Sequence, residues 1–470
     1  MESVFNNLIE DCFLRDHIEE EIYLLSENMQ STCDDFVNIL PSIINHEIFS
    51  FLSAKDLSNC SLTAKSWREI ANSNALWRYH CKIRGWLKFG EQQELLPVEN
   101  DVEGSNSNKI SHPKFQVPFY SDTISKICYW KIIFLKVHHL NENWKNGRYT
   151  PYPIYTAHSD KVLCIDCKDN LLASGGLDRI IKLWNLRSKQ CETTIHTNSE
   201  IYSLLFHNNQ LIAGCDNGNI LLICYKTGKI LSTLMGHRGS VIKLIYAVYL
   251  ITACLDHSIR LWDLEGKKCI HCFSNHQDDI TDIAKFGFNL VSSSFDGSLC
   301  IYDLKNPKLN HQLIGHKDIV SCICCDNELV VSGGSDGELF VWSISTGNLF
   351  RKLIGHFGDI HAVTMNDELI ASASEDTTIR LWYIDEHFYS CKILKGHHLG
   401  IVSILNLSNN ILISAGHGKK IVVWEWRTER CLHVVHRQPI QLHCMCVSDT
   451  RIITASPSSP GSLAIIDYWK

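Results

Sequence analysis

Three absences narrow the role of this 470-residue chain. No stretch reaches the ~18 uninterrupted apolar residues of a membrane-crossing helix, so no membrane partner is expected. The opening, MESVFNNLIEDCFLRD, lacks the basic-then-apolar layout of a secretory signal. Residence in the cytoplasm, the nucleus or both is therefore expected. A basic excess is missing too: 44 Lys and Arg stand against 51 Asp and Glu, for a net charge of -7. Broad nucleic-acid binding needs a positive field, and no nucleic-acid partner is expected. Cysteine, at 21 residues, is plentiful. Yet the cysteines sit inside apolar runs such as VSCICCD and LHCMCVS. In a reducing compartment such residues act as small hydrophobes rather than a disulfide framework.

The length exceeds one ordinary domain, and 45% hydrophobic with 20% charged residues fits a folded protein. Four regions follow. Residues 1–35 place Phe5, Leu8, Ile9 and Cys12, then Ile18, Ile22 and Leu25, at helical spacing. This N-terminal helical segment packs on its neighbour or forms a homodimer contact. Residues 36–86 read as compact helices. Pro41 suits a first turn, Ile44, Ile48, Phe49 and Leu52 form a stripe, and Asp56 is a start signal. Trp67, Ile70, Leu76 and Trp77 mark a third run. Residues 87–150 are a linker, with a loop over 97–120 and a helix over 122–145 that stops at Asn146-Gly147. A helix of about twenty residues spans ~30 Å and acts as a stiff spacer. From 151 to 470 the pattern turns to short alternating runs separated by turns.

Within that last region one phrase returns. His158, Asp178 and Trp184 recur as His316, Asp336 and Trp342, and as His356, Asp376 and Trp382. A period of roughly 40 residues means one small unit stacked many times. SGGLDRIIKLWNL, ACLDHSIRLWDL, SGGSDGELFVWSI and SASEDTTIRLWYI, with the GH of MGH, IGH, IGH and KGH, resemble WD-repeat units. The resemblance implies four-stranded blades closing into a C-terminal β-propeller, so the fold is mainly β with an N-terminal α module. Eight inner strands begin near Val162, Ile201, Val241, Ile280, Ile319, Ile360, Ile401 and Ile440. Eight blades are expected, with seven as the alternative. YPIYTAH reads as an outer strand without a blade, and the last unit lacks one. Pairing the two would lock the ring and remove an exposed edge.

Ser174, His158 and Asp178 invite comparison with a hydrolase triad. A triad has one strained, exposed nucleophile, whereas this set recurs at fixed spacing. The resemblance implies a structural chain of hydrogen bonds, uneven across blades. The second unit has His196 and Asp216 but Ile212 for Ser and no Trp. The fourth has Tyr302 for Trp, and the seventh has Gly418 for Asp. Cys164 and Cys167 have a metal-like spacing, but on a strand a three-residue offset sends them to opposite faces. No metal, cofactor or catalytic residue is expected.

LPSIINHEIFSFLSAKDLSNCSLTAKSWREIANSNALW resembles an F-box. The matching positions are Leu40-Pro41, Glu47-Ile48-Phe49, Leu52, Asp56-Leu57, Lys65, Trp67-Arg68 and Leu76-Trp77. Ile43 departs, standing where the family usually has an acidic residue. The resemblance implies docking on the Skp adaptor of a cullin–RING ubiquitin ligase through Leu40, Pro41, Ile44, Ile48, Leu52 and Leu57. It also implies a target protein held at one propeller face. Family members that read phosphate use a cation two residues before the blade Trp, here Lys182, Arg260 and Arg380. They also use Arg directly before the blade Asp, where this chain has Leu177, Cys215, Leu255, Phe295, Ser335 and Glu375. A mixed surface with Leu255 and Phe295 as apolar anchors is expected. The implied function is the non-catalytic substrate-recognition subunit of an F-box-type ligase; a WD-repeat scaffold outside any ligase is the alternative.

Overall fold

The computed structural model describes residues 37, 40–90, 128–326, 328–384, 391–398, 401–405, 411–416, 420–436, 444–456 and 460–469. The N-terminal segment 1–35, the 97–120 loop, the first turn of the expected 122–145 helix and Ile440 lie outside them. The chain divides into two compact units, Met1–Asn141 and Glu142–Lys470.

In the first unit α1 (Ser42–Ser50), α2 (Ala54–Cys60), α3 (Lys65–Ala71) and α4 (Asn74–Ile83) enclose a small core. Pro41 immediately precedes α1. The start signal of α2 is Ser53 rather than Asp56. The Ser53 side chain accepts from the Asp56 N–H at 3.2 Å and donates to the Asp56 carboxylate at 2.6 Å, two bonds of a short capping motif. Ser73 caps α4 with one bond, accepting from the Leu76 N–H at 3.4 Å. Phe49, Leu57, Leu76, Trp77 and Cys81 fill the core, and the Trp77 indole donates to the Ala71 carbonyl at 2.6 Å. Helix α5 (Tyr129–Asn146) adds Phe134 to this core, 5.0 Å from Trp77. It also adds Lys131, whose ammonium donates to Asn72 Oδ1 at 2.7 Å.

The unit boundary falls inside α5 rather than at residue 150, because its last turn is built into the second unit. Asn143 donates to the Tyr468 carbonyl at 2.9 Å, the Trp144 indole donates to the Asp449 carbonyl at 3.0 Å, and the Trp144 and Tyr468 rings stack at 3.7 Å.

The second unit consists of eight antiparallel sheets of four strands. Inner strands Val162–Lys168, Ile201–His207, Val241–Tyr246, Ile280–Phe286, Val320–Asp326, Ile360–Met365, Ile401–Leu405 and Cys444–Val447 pack in succession, and the last returns to the first. The ring is therefore a closed, eight-bladed β-propeller. Cross-strand hydroxyls stitch blades together: Ser203 donates to the Val241 carbonyl at 2.7 Å, and Thr281 to that of Val320 at 2.6 Å. Strand Thr150–His158 pairs with Gly461–Asp467, Thr150 opposite Asp467 and Ile154 opposite Leu463. The first strand of the ring thus completes its last blade, and no sheet edge is left open at the closure.

Candidate functional site

In blade 1 the His158 Nδ1–H donates to Asp178 at 2.9 Å, and His158 Nε2 accepts from Ser174 Oγ at 2.7 Å. Ser174 in turn accepts from the Trp184 indole at 2.9 Å. Blade 5 repeats the chain through Asp336, His316, Ser332 and Trp342, at 3.1, 2.9 and 3.0 Å. Blade 6 repeats it through Asp376, His356, Ser372 and Trp382, at 2.8, 2.8 and 2.9 Å. In blade 3 Thr252 takes the serine's place between His237 and Trp262, at 2.7 and 2.9 Å. In blade 4 His276 bonds Asp296 and Ser292, with Tyr302 buried where the Trp stands elsewhere. Asp, His and Ser here share the connectivity of a hydrolase triad. The serines are nevertheless fully buried, and those of blades 1, 5 and 6 already accept an indole N–H. No substrate carbonyl reaches them, and the arrangement ties strands together.

Electrostatics fit that role. Burial pushes the pKa of His276, His316 and His356 down, so each is a neutral link at pH 7. Burial alone would raise Asp376. Hydrogen bonds from Thr378 and His356 outweigh it and bring the carboxyl to about 2.

Blade 2 corrects the sequence reading by one residue. Gly214 pairs with Ile220 and Leu211 with Ile223, as Gly175 pairs with Ile181 and Leu172 with Trp184 in blade 1. The positions equivalent to His, Ser, Asp and Trp are therefore Thr197, Ala213, Asn217 and Ile223, not His196, Ile212 and Asp216. The signal was in the sequence: the other signature histidines lie four residues before their inner strand, and His196 lies five before Ile201. Strand five likewise opens at Val320 rather than Ile319.

The same shift moves Asp216 into the turn position before the signature residue, displacing Cys215, which is buried. At this position the backbone N–H bonds the carbonyl just before the inner strand. The pairs are Leu177 to Lys161, Asp216 to Glu200, Leu255 to Ser240, Phe295 to Asp279, Ser335 to Ile319 and Glu375 to Asp359, all between 2.9 and 3.1 Å. These twelve residues lie where the inner strands begin, around one mouth of the ring. Five are carboxylates (Glu200, Asp216, Asp279, Asp359 and Glu375), and Lys161 is the cation. Leu255 and Phe295 are exposed there, Phe295 at 46%. Phe357, just after the blade 6 histidine, is exposed as well.

The three expected cations sit outside this rim. Lys182 donates to the Ala157 carbonyl at 2.6 Å. Arg260 and Arg380 lie toward their outer strands, against Cys269 at 3.9 Å and Cys391 at 3.8 Å. The Nε of each arginine is buried without a hydrogen-bond partner among the described residues. The structure thus joins Leu255 with Phe295 at equivalent turns of neighbouring blades, and does not join the cations to them.

Among the described residues two clusters have metal-ligand atoms near one another, His237–Cys254–Asp256 and His257–Asp278–Asp279. In the first, His237 Nδ1 is committed to Asp256, and burial pushes the Cys254 thiol up to about 12. In the second, Asp278 accepts from the Asp279 N–H at 2.8 Å. Cys164 and Cys167 point to opposite sides, Cys164 toward the Ile201 carbonyl of blade 2 and Cys167 toward Cys446 of blade 8.

On the helical module, Pro41 is exposed, and Leu40, Ile44, Ile48 and Leu52 are partly covered. Leu57, expected on this surface, is instead 0% exposed. It lies on the inner side of α2, packed in the core with Phe49 and Trp77. Ile43, 77% exposed, and Phe51 and Leu62 extend the apolar surface. Ile43 was legible only as a departure from the family pattern.

The ring and the helices define a WD-repeat β-propeller carried behind an F-box module. A family model described as F-box-like matches residues 37–83. One described as WD domain, G-beta repeat, matches 150–185, 228–263, 267–303, 307–343 and 347–383. Those matches fall on blades whose His–Asp pair is intact. In carrying an F-box-like module ahead of WD repeats, the chain is similar to the F-box/WD-repeat proteins. Among its relatives is the F-box/WD repeat-containing protein pof1 of Schizosaccharomyces pombe, 26% identical over 33% of each chain. The "Probable E3 ubiquitin ligase complex SCF subunit sconB" of Arthroderma otae is 27% identical over 33% of this chain and 23% of its own. Protein tipD of Dictyostelium discoideum is 30% identical over 41% and 32%. The chain thus spans about a third or less of the length of these curated relatives. The crystal structure of the computationally designed Ika8 protein matches with a TM-score of 0.61 at 24% identity, over 66% of this chain and 97% of that one; this likeness shows the fold alone.

Proposed function

We propose that this protein is the substrate-recognition subunit of an F-box-type cullin–RING ubiquitin ligase. In this reading the helical module docks the Skp adaptor, the propeller binds the target, and the chain performs no chemistry of its own. The observation that carries the reading is one chain holding both an F-box-like module with an exposed apolar face and a closed WD-repeat ring. An uncovered apolar patch marks a partner site, and Leu40, Pro41, Ile43 and Ile44 provide one at the start of α1. Two relatives bear names of the same kind, a "Probable E3 ubiquitin ligase complex SCF subunit" and an "F-box/WD repeat-containing protein". Rate enhancement would come from effective concentration, the target being held near a ubiquitin-charged enzyme. The complex would work in the cytoplasm, the nucleus or both.

Targets dock at the mouth of the ring, with Leu255 and Phe295 as apolar anchors and Arg260 and Arg380 adding positive charge at the outer margin. The five carboxylates nearer the channel disfavour a heavily phosphorylated segment there, since like charges repel in a partly desolvated site. Leu40→Ala with Pro41→Ala should abolish co-purification of adaptor and cullin while the propeller's melting is unchanged. Leu255→Ala with Phe295→Ala should release the target and keep the adaptor. The exposed Ile43, in a position the family usually fills with an acid, favours the second reading, a scaffold outside any ligase. Intact chain that captures neither adaptor nor cullin would establish that reading.

A further inference from the structure

The structure assigns a reversible disulfide-forming site to Cys167 and Cys446, at the seam where the first and last blades meet. The two residues are 279 apart in sequence, yet their sulfurs lie 2.7 Å apart on facing inner strands. A disulfide has its sulfurs ~2.05 Å apart, so bond formation needs an approach of only about 0.7 Å. Both residues are half-buried, within reach of a small oxidant.

Other cysteines of the ring are placed differently. Cys164 and Cys322 are buried and aim at backbone carbonyls of the next blade. Burial pushes Cys215 and Cys325 up to about 12, which keeps them as thiols. Thiolate character and access decide which cysteine oxidises.

The co-reactant class is a peroxide. One thiolate attacks a peroxide oxygen; an S–O bond forms, the O–O bond breaks, and hydroxide leaves as water. The second thiolate attacks the resulting sulfenic sulfur; the S–S bond forms, the S–O bond breaks, and a second water leaves. Two thiols and one hydrogen peroxide give one disulfide and two waters. A dithiol reductant reverses the reaction by exchange.

The ring is otherwise closed there by the pairing of Thr150–His158 with Gly461–Asp467. A covalent clasp between Cys167 and Cys446 would staple the same seam from its inner edge and oppose blade separation. In a reducing compartment such a bond is transient and oxidant-dependent.

The test uses the full chain treated with hydrogen peroxide, alkylated, digested without reductant and examined by mass spectrometry. The expected product is a peptide pair joined through Cys167 and Cys446, two hydrogens lighter than the separate peptides. It should come with a rise in melting temperature of roughly 5 °C that dithiothreitol abolishes. Cys446→Ser should melt like the reduced wild type and show no oxidant-dependent rise. The proposal is overturned if Cys167 and Cys446 are recovered separately alkylated after oxidation. It is also overturned if either is joined to Cys164 or Cys444 instead, or if the link forms without a change in melting. The peptide readout on the wild type decides even if the serine variant folds poorly.

Discussion

Blades 6 and 7 stand side by side and share the His–Ser–Trp part of the chain, at 2.8 and 2.9 Å in blade 6 and 2.8 and 2.8 Å in blade 7. They differ at the next link. In blade 6 Asp376 accepts a hydrogen bond from His356 Nδ1–H at 2.8 Å and also from the backbone N–H groups of Phe357 and Thr378, at 3.2 and 2.9 Å. In blade 7 the sequence has Gly418 where that Asp would fall, and the buried Nδ1 of His397 has no partner among the described residues. Burial lowers the His397 pKa to about 4. The difference separates two jobs. His, Ser and Trp join strands within a blade. The Asp ties the loop entering the blade to the turn between its middle strands. Blade 2 lacks the His–Ser–Trp chain but keeps a tie between loop and turn: Ala213 and Ile223 are buried apolar replacements for Ser and Trp, an exchange close to neutral when no group is left unpaired, while the Asn217 N–H donates to Ser199 Oγ at 3.3 Å.

This contrast breaks at defined points. The largest effect is expected for Trp382→Ala, which removes core volume and one of the Ser372 partners; roughly 3–5 kcal/mol should be lost in denaturant unfolding. Next, Asp376→Ala and Asp336→Ala should each cost roughly 1–3 kcal/mol by leaving a histidine and loop N–H groups unpaired. An unchanged melting temperature would refute the tying role.

The third effect is pH-dependent. With a folded pKa of about 4 against the ordinary 6.5, His397 stays neutral in the fold while the unfolded chain takes up a proton. Stability is therefore lost as pH falls through that window, by roughly 2 kcal/mol from pH 7 to 5. Asp376 acts lower, its contribution present above 3.8 and lost toward 2. His397→Gln should flatten the slope between pH 7 and 5 in melting curves, though His276, His316 and His356 keep part of it. The smallest effect is expected for Ile223→Val in blade 2, roughly 0.5–1.5 kcal/mol, with no change in pH dependence.

Much of this was legible in the sequence because each blade restates the same spacing. The closure by YPIYTAH was legible too, since an orphan outer strand at one end matched a missing one at the other. Where repetition stopped, reading by spacing failed. His196 and Asp216 keep the 20-residue interval but lie one residue off the strand register, and only pairing fixes register. Leu57 is placed on the docking surface only by the family resemblance, and packing with Phe49 and Trp77 in the core turns it inward. The rim of carboxylates was invisible because its members come from turns far apart in the chain. Arg260 and Arg380 were visible as cations, but not their position toward the outer strands. The Cys167–Cys446 approach likewise depends on which side chains meet across the seam of the first and last blades, which no local pattern reveals.

The most direct measurement is mass spectrometry of partners captured by the intact chain and by a version lacking residues 36–86. The account predicts that Skp adaptor and cullin disappear with the deletion while target proteins remain or accumulate. Adaptor retained by the deleted chain, or neither adaptor nor cullin captured by the intact one, would contradict it.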